Sequence, residues 1–253
     1  MIQIVIIGSG NVAQHLIMAF AKCNEVAVIQ VYSRKQDIFP EILSANKVTN
    51  NIQEIKDADL YIIAVSDTAI ADVSSQLPFK NKLVVHTSGS VAVEDLSNNN
   101  RKGVFYPLQS FSKNKEVNFL EIPICIEAQN EEDFKLLEKV ASAISDKVYN
   151  INSDQRKALH VAAVFVNNFT NYMYQIGNEI CKENNIDFQI LHPLILETAN
   201  KLKTLSPNEA QTGPAKRNDT TTINSQLNFL SNSNFKDIYK LLTNSIIDNG
   251  NKL

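Results

Sequence analysis

Residues 2–16 read IQIVIIGSGNVAQHL, an apolar run that stops at Gly8-Ser9-Gly10 and gives way to helical spacing through Val12, Leu16, Ala19 and Phe20. Gly8 and Gly10 stand two apart and Ala13 three further on, the spacing of a G-x-G-x-x-G/A dinucleotide fingerprint. A strand before the glycines and a helix after them are the context that fingerprint requires. Each position has a physical reason. Gly8 permits the sharp turn, Gly10 has no Cβ to obstruct a pyrophosphate, and small Ala13 lets the helix pack close to its strand. The amides of Ser9, Gly10, Asn11, Val12 and Ala13 then surround a helix N-terminus whose dipole favours phosphate. The competing reading is an ordinary glycine turn at a strand–helix junction.

A second β-branched run, VAVIQVYSR (residues 26–34), ends about 25 residues past Gly8, where the ribose-reading residue is expected. An Asp or Glu there would accept from a 2′-hydroxyl and repel a 2′-phosphate. Ser33, Arg34 and Lys35 offer donors and positive charge instead, so NADP(H) is expected over NAD(H), with Arg34 as chief discriminator.

The 253 residues suffice for two modest domains with a core that needs no staples. With 24 Lys plus Arg against 27 Asp plus Glu, no basic stripe points to nucleic acid. Cys23, Cys125 and Cys181 are scattered and odd in number, which argues against a disulfide framework or a metal site and for reduced thiols. The chain opens directly into a strand, and no apolar run approaches the roughly 18 residues a bilayer demands. A cytoplasmic protein without membrane contact is expected.

ADLYIIAVSD, KLVVHTSGS, EIPICIEA and KVYNI read as further strands, with EEDFKLLEKVASAIS as a helix between the last two. Strands alternating with helices imply an α/β fold, a Rossmann doubly wound and mostly parallel sheet. From Ser153 the strand signal fades into one long helix with Ser153 as its expected N-cap, and later helices are expected to start at Ser206-Pro207, near Asp219 and near Asn234. The expected division is a nucleotide-binding domain over residues 1–152 and an all-α domain over residues 153–253.

Ligands of open α/β sheets sit beyond the carboxyl ends of the strands. That rule gathers Val65, Ser66 and Asp67 on the cofactor side, together with His86, Ser88 and Gly89 as substrate-side candidates. Asp67 reads equally well as a helix cap, His86 as a core histidine and Ser88–Ser90 as a plain turn. Among four histidines His160 is the best candidate for chemistry. On the long helix Arg156, His160, Ala163, Asn167, Asn171, Tyr174 and Asn178 recur at helical steps, a neutral polar stripe that suits a cleft better than open water. Leu159, Ala162, Val166, Phe169, Met173 and Ile176 make the opposite, apolar face. In TGPAKRNDTTTI (residues 212–223) Arg217 can clamp a carboxylate or phosphate, and Asp219 stands beside it as a second candidate and a possible helix cap.

GSGNVAQHL, SGS, FYPLQSFS (105–112), RKALHVAAVFVNNF (156–169) and TGPAKRND (212–219) together resemble an uncharacterised group of bacterial Rossmann-like proteins. That group pairs an NADP-binding domain with a helical domain of unknown function and carries the label of deazaflavin-dependent NADP oxidoreductase by similarity. The layout is more distantly similar to pyrroline-5-carboxylate reductase, ketopantoate reductase and the β-hydroxyacid dehydrogenases, whose helical domains often make a dimer. Many β-hydroxyacid dehydrogenases carry a catalytic Lys with an Asn one turn later. Here Lys157 is followed four residues on by Val161, so His160 with Asn167 or Asn168 has to serve.

The expectation is therefore an NADPH-dependent reductase of a small carbonyl or imine compound, a homodimer through its apolar helices. Two other readings stand beside it: a sensor or scaffold that holds NADP(H) without turnover, and hydride exchange with a deazaflavin.

Overall fold

The structure is a computed structural model that describes residues 1–34, 47–113 and 115–250. The opening apolar run forms β1 (Ile2–Ile7), whose last four residues are fully buried. A strand buried on both faces needs helical cover on each side, which is the condition for a parallel sheet. The other strands are β2 (Val26–Tyr32), β3 (Val48–Thr49), β4 (Leu60–Ile63), β5 (Leu83–His86), β6 (Arg101–Pro107), β7 (Ile124–Ala128) and β8 (Val148–Asn150). They pair in the order β3-β2-β1-β4-β5-β6-β7-β8, every pair parallel except β6 with β7. Because the chain winds outward from β1 through β2 and then crosses back to β4, strand order reverses between β1 and β4. A doubly wound sheet opens its ligand crevice at such a reversal.

Alternate residues of β1 feed the two cores. Ile4 and Ile6 pack with Leu16, Ile17 and Phe20 of α1 (Asn11–Phe20), and Val5 and Ile7 pack with Tyr61, Ile63 and Ile70. Ile70 opens the short α2 (Ile70–Ser75). Leu137 and Val140 of α3 (Glu131–Ser142) join the first core.

Two strands escape the sequence reading. β3 has two residues, too few to show alternation. β6 opens with Arg101, Lys102 and Gly103 and closes on Pro107, a composition unlike a central strand. Residues 37–51, DIFPEILSANKVTNN, read as loop or short helix from their sequence, and residues 37–46 of them lie outside the described residues.

Contacts divide the chain into Met1–Asn167 and Asn168–Leu253. The helix expected at Ser153 is α4 (Ser153–Ala163), but its N-cap is Asn152, whose side chain accepts from the Gln155 amide at 2.9 Å. Ser153 is instead the first helical residue, engaged with Glu127. A π-helical stretch, Val164–Phe169, follows α4.

The second unit contains α5 (Thr170–Glu183), α6 (His192–Lys201), α7 (Pro207–Ala210), α8 (Thr220–Phe229) and α9 (Ser233–Gly250). Ser206 caps α7 and Asp219 caps α8, as their residue types suggest. No helix among the described residues is long and apolar enough to cross a membrane.

Candidate active site

The glycine turn after β1 has two glycines with opposite demands. Gly8 adopts φ +133°, and a Cβ there would stand 2.1 Å from the Ala64 carbonyl oxygen and 3.3 Å from a Val65 methyl. Gly10, the N-cap of α1, has nothing within 4 Å of where its Cβ would project. No side chain caps α1, so the amides of its first turn around Asn11, Val12 and Ala13 are not taken up by a capping group. The turn is held from below by Gln14 Nε2, which donates to the Ser9 carbonyl at 3.0 Å. Beyond β4, Val65 is half-buried, and Ser66 and Asp67 are exposed at the same edge. At the end of β2, Ser33 is buried and Arg34 exposed, while Lys35 lies outside the described residues.

A strap flanks this turn. Asn11 Nδ2 donates to the Phe111 carbonyl at 3.0 Å, His15 Nε2 lies 3.0 Å from the Ser112 carbonyl, and the His15 and Phe111 rings stand 5.0 Å apart. His15 therefore ties the segment that leaves β6 to the helix of the glycine turn.

The second group of residues gathers where β5 and β6 end. Tyr106 Oη is 3.0 Å from His160 Nδ1. Gly89 lies beneath the imidazole, where a Cβ would come within 2.5 Å of Nδ1. Ser88 Oγ accepts from the amides of Ser90 and Val91, each at 3.0 Å, which fixes the turn that carries Gly89. His86 has no exposed surface, and its Nδ1 accepts from the Ser88 amide at 3.2 Å. Burial, with the Arg156 guanidinium nearby, pushes its pKa down to about 4, so it is neutral at pH 7. His86 thus braces the turn from below. Burial raises the Tyr106 phenol to about 12.

Arg156 departs from the cleft-facing stripe expected of it. Only 1% exposed, it forms an ion pair with Glu127 and donates to the Val91 carbonyl at 2.6 Å and to Ser153 Oγ at 3.1 Å. Glu127 also accepts from the Ser153 amide and hydroxyl at 3.0 and 2.9 Å. One buried guanidinium thereby ties the turn after Gly89 to the start of the helix that bears His160.

The first unit thus brings Ser9–Ala13, Val65–Asp67, His86–Gly89 and His160 to the carboxyl edge of the sheet. Asn167 is exposed at its end. Asn168, Arg217 and Asp219 belong to the second unit. There Arg217 is exposed, and Asp219 caps α8, its carboxyl held below the usual range by hydrogen bonds from Thr222. Sequence reasoning missed Tyr106, Glu127 and the buried role of Arg156. Tyr106 lies in the quoted FYPLQSFS motif, but without β6 its side chain has no assigned direction.

A strand, an open glycine turn and a helix N-terminus at a strand-order reversal, with a donor-rich second strand end, define a dinucleotide-binding Rossmann protein. Residues 3–89 match the family described as “NADP oxidoreductase coenzyme F420-dependent”, and residues 122–246 match a domain of unknown function, DUF2520. No curated protein matches the chain. Among solved structures, a “putative NADP oxidoreductase” from Bacteroides fragilis is 41% identical, with 98% of each chain covered and a TM-score of 0.86. A Thermotoga maritima protein is 21% identical over 97% of this chain and 98% of its own, TM-score 0.72. The 1-pyrroline-5-carboxylate reductase of Streptococcus pyogenes is 15% identical over 100% and 99%, TM-score 0.67, a likeness of fold. At that 41% identity and 98% coverage the chain belongs to the family of the Bacteroides protein, described as a “putative NADP oxidoreductase”.

The residues present fit NADP(H). The space a Gly10 Cβ would fill is clear, the first-turn amides of α1 have no side-chain cap, and exposed Arg34 stands where a 2′-phosphate needs a cation.

Proposed function

We propose that this protein is an NADP(H)-dependent reductase of a small carbonyl or imine compound, working by hydride transfer with His160 as proton donor or polarising group. The observation that carries this reading is His160 at the carboxyl edge, held against Gly89 and Tyr106, in the same compact unit as an open pyrophosphate turn. Ser9 to Ala13 hold the pyrophosphate, Val65 to Asp67 line the cofactor edge, and Ser33, Arg34 and Lys35 hold the 2′-phosphate. The cofactor, when bound, supplies the hydride. His160 meets the acceptor's heteroatom, the turn at Ser88 and Gly89 braced by His86 borders it, and Asn167 and Asn168 supply neutral hydrogen bonds. In the helical domain, Arg217 has the chemistry to hold an anionic group, with Asp219 ordering its loop.

We further read the protein as cytoplasmic and homodimeric. Leu194, Leu196, Leu202, Phe229 and Leu241 of the second unit are exposed, more apolar surface than a solvated helical domain usually presents. A solution mass near twice 28.3 kDa supports the dimer, and a monomer overturns it.

The test is fluorescence titration of NADPH and NADH into the wild type and Arg34→Ala, followed by turnover with ketoacids and cyclic imines. NADPH binds more tightly, and Arg34→Ala costs about 1.5 to 3 kcal/mol, roughly tenfold to hundredfold, with NADH unaffected. His160→Ala lowers turnover by about 10²- to 10⁴-fold at unchanged nucleotide affinity. Failure to bind either nucleotide sinks the reading.

A further inference from the structure

We propose that Tyr106 is a positioning residue that selects the tautomer of the His160 imidazole, with the proton on Nε2, making it a hydrogen-bond donor suited to a carbonyl oxygen. The inference rests on the reductase reading above and narrows its substrate class.

The Nδ1 side of the ring is enclosed. Tyr106 Oη lies 3.0 Å from Nδ1, the two rings meet edge to face at 6.0 Å and 69°, and Gly89 sits so close that a Cβ would come within 2.8 Å of Cγ as well as 2.5 Å of Nδ1. Nε2, across the ring, is the polar atom left for a ligand, and His160 is half-buried, with part of its surface open. The direction of the Tyr106 bond follows from its proton. The phenol is 8% exposed, remains protonated at neutral pH, and has no hydrogen-bond partner among the described residues other than His160. A buried O–H must be spent on an acceptor, and the acceptor within reach is Nδ1. A nitrogen that accepts is unprotonated, which in a neutral ring puts the proton on Nε2.

The tautomer sets the chemistry. A carbonyl oxygen has lone pairs to receive Nε2–H, whereas a protonated imine has none. As hydride adds to the carbonyl carbon, the C=O π pair moves onto oxygen. The Nε2 proton passes to that oxygen as the Tyr106 proton passes to Nδ1; a proton from water then returns to Nε2 while Nδ1 hands its proton back to the Tyr106 oxygen, which restores the starting pair. The final alcohol contains one hydride and one proton, and the His160 ring ends neutral. Tyr106 acts throughout by way of His160 and does not touch the substrate.

The experiment is ¹⁵N NMR of the His160 imidazole at about pH 8.5, where histidine is neutral, assigned by its loss in His160→Gln. It is coupled to kinetics of Tyr106→Phe on a ketone and a protonated cyclic imine. The wild type shows a protonated Nε2 and a bare, hydrogen-bonded Nδ1, and Tyr106→Phe loses the hydrogen-bonded Nδ1 signature. The variant's kcat on the ketone falls tenfold or more, while KM and NADPH affinity stay within threefold. A proton on Nδ1 in the wild type, an identical Nδ1 signal in Tyr106→Phe, or a wild type faster on cyclic imines than on ketones overturns the proposal. The NMR reading needs no cofactor, so it separates failure of this pairing from failure of nucleotide binding.

Discussion

Gly8 and Ala64 are locked in backbone contact: any side chain on Gly8 would drive its Cβ to 2.1 Å from the Ala64 carbonyl, while Gly10, two residues on, faces open space. The two glycines of one fingerprint should therefore fail differently. Gly8→Ala, strained at φ +133° as well as crowded, costs about 3 kcal/mol of stability, read as a lower urea midpoint. Gly10→Ala changes stability by no more than about 1 kcal/mol but weakens NADPH binding at least tenfold, because the new methyl occupies the pyrophosphate's approach.

Arg156 and Glu127 form a buried pair, 1% and 15% exposed. Breaking it from one side leaves an uncompensated charge, so Arg156→Met or Glu127→Leu alone costs about 3 to 5 kcal/mol. The double substitution recovers most of that loss, since two apolar groups strand no charge. A double-mutant cycle by urea denaturation measures the coupling, and additive losses would contradict it.

His86 makes stability depend on pH with a definite sign. Its pKa is about 4 in the fold against 6.5 in the free side chain, so between those values the unfolded chain binds the extra proton. Stability is then complete above pH 6.5 and declines as pH falls toward 4, by about 3 kcal/mol at most. His86→Asn keeps an acceptor for the Ser88 amide without titrating. The wild type should lose more stability than this variant between pH 7 and 4, and parallel curves would refute the assignment.

The glycine turn and both caps in the helical unit were legible because each is local: a handful of adjacent residues determines the backbone. The Tyr106–His160 pair was not, since its partners are separated by 54 positions. The cap of α4 shows the same limit. Asn152 and Ser153 are both good cap types, and Ser153 is drawn into the helix by Glu127, 26 positions away. The helical stripe failed in another way. A wheel drawn at 3.6 residues per turn places Ala162, Val166 and Phe169 on one apolar face, yet all three are exposed, Val166 to 74%, and the helix passes through a π-helical stretch at Val164–Phe169 whose wider turns such a wheel does not represent.

The antiparallel pairing of β6 with β7 has a consequence for how this protein can change. A parallel neighbour would oblige the chain to cross the whole sheet before pairing again. Here residues 108–123 leave and return at the same carboxyl edge, and on the way they clasp α1 through Asn11 and His15. That excursion can lengthen, shorten or exchange its side chains without rethreading a strand, so natural variation in ligand preference has room to accumulate there while the sheet stays constant.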